Sequence, residues 1–183
     1  MPSLYLVRHA SPDWNRKDIP YHLPPGPPLT EQGLAEAHAL GHFLLLANVQ
    51  QLWTSPLERC QHTAEIVAGI TGATVKIDQE LREWQPQESK EALRVRTLPV
   101  VDQAWQWVAQ QNGAGGTIAL VTHGGPIMTL LSALGIDDRT MESLRIYDHR
   151  NPVPPAGVWE VTRQSLGHSW EMRLVFTPEA IVA

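Results

Sequence analysis

The chain has 183 residues, of which 43% are hydrophobic and 18% charged, enough apolar surface for one substantial core, so a single domain over 1–183 is expected. Its 14 Lys and Arg stand against 19 Asp and Glu, a formal charge of −5 that speaks against a nucleic-acid partner but not against a local phosphate pocket built from a few convergent arginines. A single cysteine, Cys60, excludes an intramolecular disulfide framework, and Arg8 and His9 cut the first apolar run too short for a signal peptide or membrane span, so a cytoplasmic protein with no membrane partner is expected.

Ser3 to Val7 is an apolar stretch ending abruptly in Arg8 and His9, and Thr117 to Val121 repeats that design ahead of Thr122-His123-Gly124-Gly125. Both predict buried strands with a histidine at the C-terminal end. From Thr30 to about Ala47 the positions Leu34, Ala37, Leu40, Leu44 and Leu45 recur at helical spacing, with Thr30 as N-cap and Glu31 in the first turn. A strand is expected over Gln51 to Thr54. It is followed by a helix with Ser55 as N-cap and Pro56 at its first position, carrying Leu57, Cys60, Ala64 and Val67 on one face and Arg59 beside that stripe. Thr74 to Ile77 reads as a strand, and Glu88 to Gln111 as a helix interrupted near Pro99. Pro126 opens another helix, which Gly135 closes. Finally, Gly157 to Arg163 and Ser169 to Phe176 alternate as an antiparallel pair around a turn at Gly167. This order predicts an α/β fold, a three-layer α/β/α sandwich with a mostly parallel central sheet and an antiparallel C-terminal edge. Ligands bind such sheets beyond the carboxyl ends of the strands, where His9 and His123 stand.

Leu6-Val7-Arg8-His9-Ala10, with Asn15 six residues after His9, resembles the signature of the histidine phosphatase and phosphoglycerate mutase superfamily. In the same order, Leu29-Thr30-Glu31-Gln32-Gly33 resembles its loop-to-helix segment, the run from Ser55 to Ala64 its second arginine helix, and Leu81-Arg82-Glu83 its acidic segment. Thr122-His123-Gly124-Gly125 completes the set. The likeness spans residues 4 to about 130 and is loose over the last fifty or so. Ala10 stands where the family often has Gly. Pro12 stands where a hydroxyl residue is common and cannot offer that hydroxyl to phosphate, a gap for which Ser11 can compensate, and Trp84-Gln85-Pro86-Gln87 replaces the usual glycine-containing continuation after Glu83.

The resemblance implies a compact phosphatase: a phosphomonoester hydrolase using neither metal nor cofactor, acting through a phosphohistidine on His9. The chemistry of the residues agrees. A neutral imidazole is a competent nucleophile near neutral pH, and a covalent intermediate splits one hard displacement into two easier ones. Arg8, Arg59 and His123 can surround the transferring oxygens, helped by Asn15, by Ser11 and by backbone N–H groups that Gly124 and Gly125 let come close. Glu83 is the candidate acid for the leaving oxygen and base for water. Small-molecule phosphomonoesters are the expected substrates, with protein phosphohistidine as an alternative. A mutase reaction would use the same residues, yet only about forty residues separate Glu83 from His123, too few for the insertion that covers the sugar acid in family mutases. A non-catalytic phosphate-binding module is the alternative outside enzymology, and the oligomeric state is open.

Other candidates have plainer readings. His38 and His42 lack the glutamate of a zinc protease helix and read as a surface or partly buried pair. Cys60 has Ile66 where a cysteine phosphatase needs arginine, so it reads as a packing residue. Gly113-Ala114-Gly115-Gly116 precedes a strand and is a turn. The proline-rich loop 16–28 is expected to edge the pocket, with Arg16, Lys17 and Tyr21 as candidate contacts to a substrate's distal groups and Arg94 and Arg96 as more distant ones; the tryptophans read mostly as core or rim, Trp14 and Trp84 being the candidates for the pocket.

Overall fold

Strand β1 (Ser3–Arg8) is buried along its whole length, as an apolar strand covered on both faces must be. Its two-residue period divides the side chains: Leu4 and Leu6 enter one core cluster, Tyr5 and Val7 the other. The computed structural model describes residues 3–111, 116–163 and 169–178. Within them the sheet runs β3 (Thr74–Ile77), β2 (Gln51–Thr54), β4 (Thr117–Thr122), β1, β5 (Val158–Arg163), β6 (Trp170–Phe176). The first four strands are parallel, and β5 and β6 add the antiparallel edge that the alternating pattern predicts.

Helices α1 (Glu31–Leu46) and α2 (Glu58–Thr71) pack Ala37, Leu40, Leu44, Cys60, Ala64 and Val67 against Val7, Leu52 and Val121 on one face of the sheet. On the other face α3 (Lys90–Gln110), α4 (Gly124–Leu134) and α5 (Asp138–Leu144) cover Leu4, Leu6 and Leu120 with Val101, Ala104, Ile127, Leu130 and Met141. Three layers result, as expected. No helix among the described residues is long and apolar enough to cross a membrane.

Several boundaries differ from the sequence expectation, each for a local reason. Leu45 is half exposed, because Gly33, Glu36 and Gly41 take the buried positions beside Leu40 and Leu44. Ser55 does not cap α2; Leu57 does, and the Ser55 hydroxyl is engaged by His123 instead. Helix α3 runs unbroken through Pro99, which lies on its solvent side together with the exposed Val95, so the carbonyl left without a donor can bind water. Helix α4 starts two residues before Pro126, at Gly124. Helix α5 is too short to show a period and was not expected; Asp137 caps it, accepting from the N–H groups of Arg139 and Thr140. The turns expected at Gly167 and through 113–115 lie outside the described residues.

The start of α1 is pinned to the strand exit that carries His9. Thr30 donates to the Ser11 carbonyl through its N–H at 3.0 Å and its hydroxyl at 3.2 Å, and the same hydroxyl accepts from Gly33 N–H. A Cβ on Gly33 would lie 2.2 Å from that Ser11 oxygen, a backbone atom with little freedom to retreat. Gly33→Ala should therefore destabilise the protein by about 1–3 kcal/mol, seen as a lower urea midpoint at unchanged slope. An unchanged midpoint would mean that α1 can shift off the loop without cost.

Candidate active site

The parallel register sets Arg8 opposite Thr122, so His9 and His123 are the next residues out of adjacent strands, and His9 N–H donates to the Thr122 carbonyl at 2.9 Å. Their imidazoles meet edge to face, centroids 5.2 Å apart, and both are fully buried. Arg59, in the first turn of α2, reaches the same point. Its Nη2 lies 3.0 Å from His123 Nδ1 and 3.4 Å from Glu83 Oε2, while Nη1 donates to the Tyr21 carbonyl at 2.8 Å.

Hydrogen-bond partners assign the protons on both rings. His9 Nδ1 is 2.8 Å from the Ala10 carbonyl, which can only accept, so Nδ1 carries the proton and Nε2 presents its lone pair. Burial, then the charges of Arg59 and Arg8, hold the His9 pKa well below the usual imidazole range, and the ring is neutral at neutral pH. At His123 the guanidinium can only donate, so Nδ1 accepts and Nε2–H donates to Ser55 Oγ at 2.8 Å. Burial and the Arg59 charge depress this ring as well. Burial raises Glu83 above the usual carboxylate range against the pull of Arg59, which makes it a carboxyl group able to hold a proton. Cys60 Sγ sits 3.5 Å from His123 Nε2, but burial pushes its thiol up to about 12, so it packs as its sequence context predicts.

Above these groups lies a cavity of about 250 Å³ lined by Arg8, Trp14, Tyr21, Glu83, Gly124, Gly125, His149 and Asn151. Three contributions come from a loop that sequence reasoning missed. Asp148 takes both terminal nitrogens of Arg8 at 2.6 and 2.7 Å, while Val153 carbonyl accepts a further bond at 3.0 Å. His149, at φ 51°, sets its ring 4.6 Å from that of Trp14, which stacks on Tyr21 at 4.8 Å. Asn151 fits over Gly124 so closely that a Cβ there would lie 2.0 Å from its Oδ1. Only a run of polar residues marks this loop in the sequence, and nothing in that run points to Arg8.

Of the residues singled out by sequence, the structure gathers Arg8, His9, Arg59, Glu83, His123 and Gly124. Asn15 stands apart, exposed on a turn where its N–H donates to the Asp13 carboxylate. Ser11 is likewise committed elsewhere: its hydroxyl and N–H both donate to buried Glu36 at 2.8 Å, so it does not stand in for the hydroxyl that Pro12 lacks. Trp14 and Tyr21 line the cavity, whereas Arg16 pairs with Asp18 and Arg94 with Glu91 on the surface. His38 and His42 are exposed.

One donor atom each from His9, Glu83 and His123 lie within 4.8 Å of one another, a spacing that a metal ion could bridge. Two buried guanidiniums beside them oppose a divalent cation and favour a tetrahedral anion, which the free N–H groups at the start of α4 would also attract.

A model of the histidine phosphatase superfamily (branch 1) matches residues 4–88. A 2,3-bisphosphoglycerate-dependent phosphoglycerate mutase of Beijerinckia indica is 39% identical over 71 residues, 38% of this chain and 34% of that protein. The chain thus spans about a third of that curated relative. Among solved structures, a mycobacterial glucosyl-3-phosphoglycerate phosphatase superposes with a TM-score of 0.71 at 22% identity, over 95% of this chain and 98% of that one. A phosphoglycerate mutase of Bacillus anthracis gives 0.74 at 19%, over 95% and 92%. These two likenesses show the fold.

Glu83 owes its position to Arg96, which donates to the Glu83 carbonyl at 3.2 Å and to the Glu88 carboxylate at 2.6 and 2.9 Å, and also to the Glu80 carbonyl. Both members of the Arg96–Glu88 pair are almost wholly buried. Arg96→Met should cost about 3–5 kcal/mol, since it strands the Glu88 charge. Adding Glu88→Gln should recover part of that stability in urea unfolding, and no recovery would show that the pair is not the source.

Proposed function

We propose that the chain is a histidine phosphatase, a metal-independent phosphomonoester hydrolase working through a phosphohistidine on His9, a reading that the family match over residues 4–88 supports. The observation that carries this reading is the neutral His9 ring, buried beside Arg8 and Arg59, with its Nδ1 proton on the Ala10 carbonyl and its Nε2 lone pair turned toward the hydroxyl of Tyr21, a residue of the cavity wall. In the first step Nε2 attacks phosphorus, the P–N bond forms, the bond to the leaving oxygen breaks, and Glu83 gives that oxygen its proton. In the second, the Glu83 carboxylate takes a proton from water, the hydroxide attacks phosphorus, and the P–N bond breaks with its electron pair returning to Nε2. Arg8, Arg59 and the α4 amides hold the phosphoryl oxygens throughout, while His123, whose one proton goes to Ser55, positions Arg59 through its Nδ1 instead of donating to phosphate as the sequence suggested.

Two features favour hydrolysis of a small ester over transfer between sugar-acid hydroxyls. Between Glu83 and His123 the described chain is largely taken up by α3 and β4, and besides Glu83 none of it lines the cavity, which stays open to water. Arg8 is also the only Lys or Arg among the described lining residues, so beyond the two guanidiniums assigned to the phosphoryl group the described wall offers no lysine or arginine to a carboxylate on the leaving group. The wall it meets is aromatic, made by Trp14, Tyr21 and His149.

Purified protein with p-nitrophenyl phosphate and excess EDTA should release p-nitrophenol, and His9→Ala should reduce that release by about 10³-fold or more. A silent wild type, or an active His9→Ala, would sink the enzyme reading. Glu83→Gln should slow alkyl phosphates by about 10²- to 10⁴-fold and aryl phosphates much less, because only the poor leaving group needs the proton. The pH profile tests the same pair of roles. With alkyl phosphates, activity should fall on the acid side as His9 protonates, below the ordinary imidazole value, and on the alkaline side as Glu83 ionises, above the ordinary carboxylate value. Glu83→Gln should lose the alkaline limb, and its persistence would assign that limb to another group.

A further inference from the structure

Among the described residues, the one side chain hydrogen-bonded to the attacking nitrogen is Tyr21, whose hydroxyl lies 3.3 Å from His9 Nε2. Its position is held by the residue expected to grip the phosphoryl group. The Tyr21 ring lies 3.9 Å over the Arg59 guanidinium, the Tyr21 carbonyl accepts from Arg59 Nη1, and the ring stacks on Trp14. We propose that the Tyr21 hydroxyl is a further catalytic group, the neutral donor to the transferring phosphoryl oxygens. The position-12 hydroxyl is absent here, the Ser11 hydroxyl is engaged by Glu36, and Asn15 lies exposed on a turn outside the cavity lining.

Two constraints act in turn, the first steric and the second electrostatic. Phosphorus must approach along the lone pair that now faces the hydroxyl, and the two cannot share it, so the hydroxyl slides aside when substrate enters. With the ring clamped on Arg59 and the backbone tied to the same guanidinium, it stays within reach of the incoming oxygens. The O–H that faced nitrogen then donates to a phosphoryl oxygen, a better acceptor carrying negative charge. Burial raises the Tyr21 pKa, so the group remains a donor through the whole working pH range. In the empty site the same contact covers the nucleophile.

This role rests on phosphoryl transfer to His9, and the test separates the two. Turnover of p-nitrophenyl phosphate and calorimetric binding of orthovanadate are measured for wild type, His9→Ala and Tyr21→Phe. Phenylalanine keeps the ring on Arg59 and Trp14, and an unchanged melting temperature checks that it does. The expected result is a fall of about 10- to 100-fold in kcat/KM and vanadate binding weakened about tenfold in Tyr21→Phe. Equal or faster turnover with equal vanadate affinity would overturn the donor role, leaving Tyr21 as a cover only, while the reading of His9 survives. A wild type that neither turns over nor binds vanadate would overturn both.

Discussion

Two guanidiniums are buried where the parallel strands end, and the rest of the site follows from their need for an anion. Arg8 and Arg59 are 2% and 0% exposed, and each leaves its Nε buried without a partner. A buried charge left uncompensated is among the costliest features a fold can carry. Asp148 answers Arg8 with a bidentate pair, but Arg59 has only Glu83 at 3.4 Å, a carboxyl whose ionised form burial itself opposes. The site thus holds a positive excess within a protein of net charge −5. A phosphate dianion resolves it.

The same field sets the protons. Burial first, and then guanidiniums that cannot lose their charge, hold the neighbouring imidazoles neutral, so at neutral pH His9 is in the form that the proposed nucleophile needs. Glu83 is pulled in opposite directions, by burial toward the acid and by Arg59 toward the carboxylate. An incoming dianion cancels part of the Arg59 attraction and adds like-charge repulsion, so substrate itself favours the protonated acid when the leaving oxygen needs it. In the proposed mechanism the leaving group departs with that proton, which leaves Glu83 as the base for the second step.

The machinery was legible because it sits on regular elements with strong local signals. An apolar run that stops at a histidine shows where a buried strand ends, and two such runs paired in register must bring His9 and His123 together. Helical phase sets Arg59 beside the buried stripe near the start of its helix, and the family resemblance gives it its place at the site. What sequence did not reveal was the destination of groups with several possible partners. The Ser55 hydroxyl looks like a helix cap because Pro56 follows it, yet a buried ring nitrogen competes for it and wins. Ser11 and Asn15 stand close to His9 in sequence, but Glu36 on α1 claims the hydrogen bonds of Ser11, and the turn closed on Asp13 leaves Asn15 exposed. Asp148 and Arg96 act across 140 and 13 residues of chain, a separation at which no local pattern speaks.

Chemistry and selectivity are accordingly placed on parts of different stiffness. His9, His123 and Arg59 stand at the ends of strands and the start of a helix, whereas Trp14, Tyr21, His149 and Asn151 come from loops. Loops can be rebuilt without disturbing the sheet, which is how shared machinery serves different esters. Here the substrate wall is itself strained: His149 and Arg150, neither a glycine, hold successive φ values of 51° and 56°, at about 1–3 kcal/mol each. Such a conformation persists only when its surroundings over-determine it, and the fixed points on either side are the Asp148 pair with Arg8 and the fit of Asn151 against Gly124. Arg8 therefore does two things with one guanidinium. It brings charge to the cavity, where the proposed reading puts the phosphate, and through Asp148 it holds in place the wall that would face the leaving group.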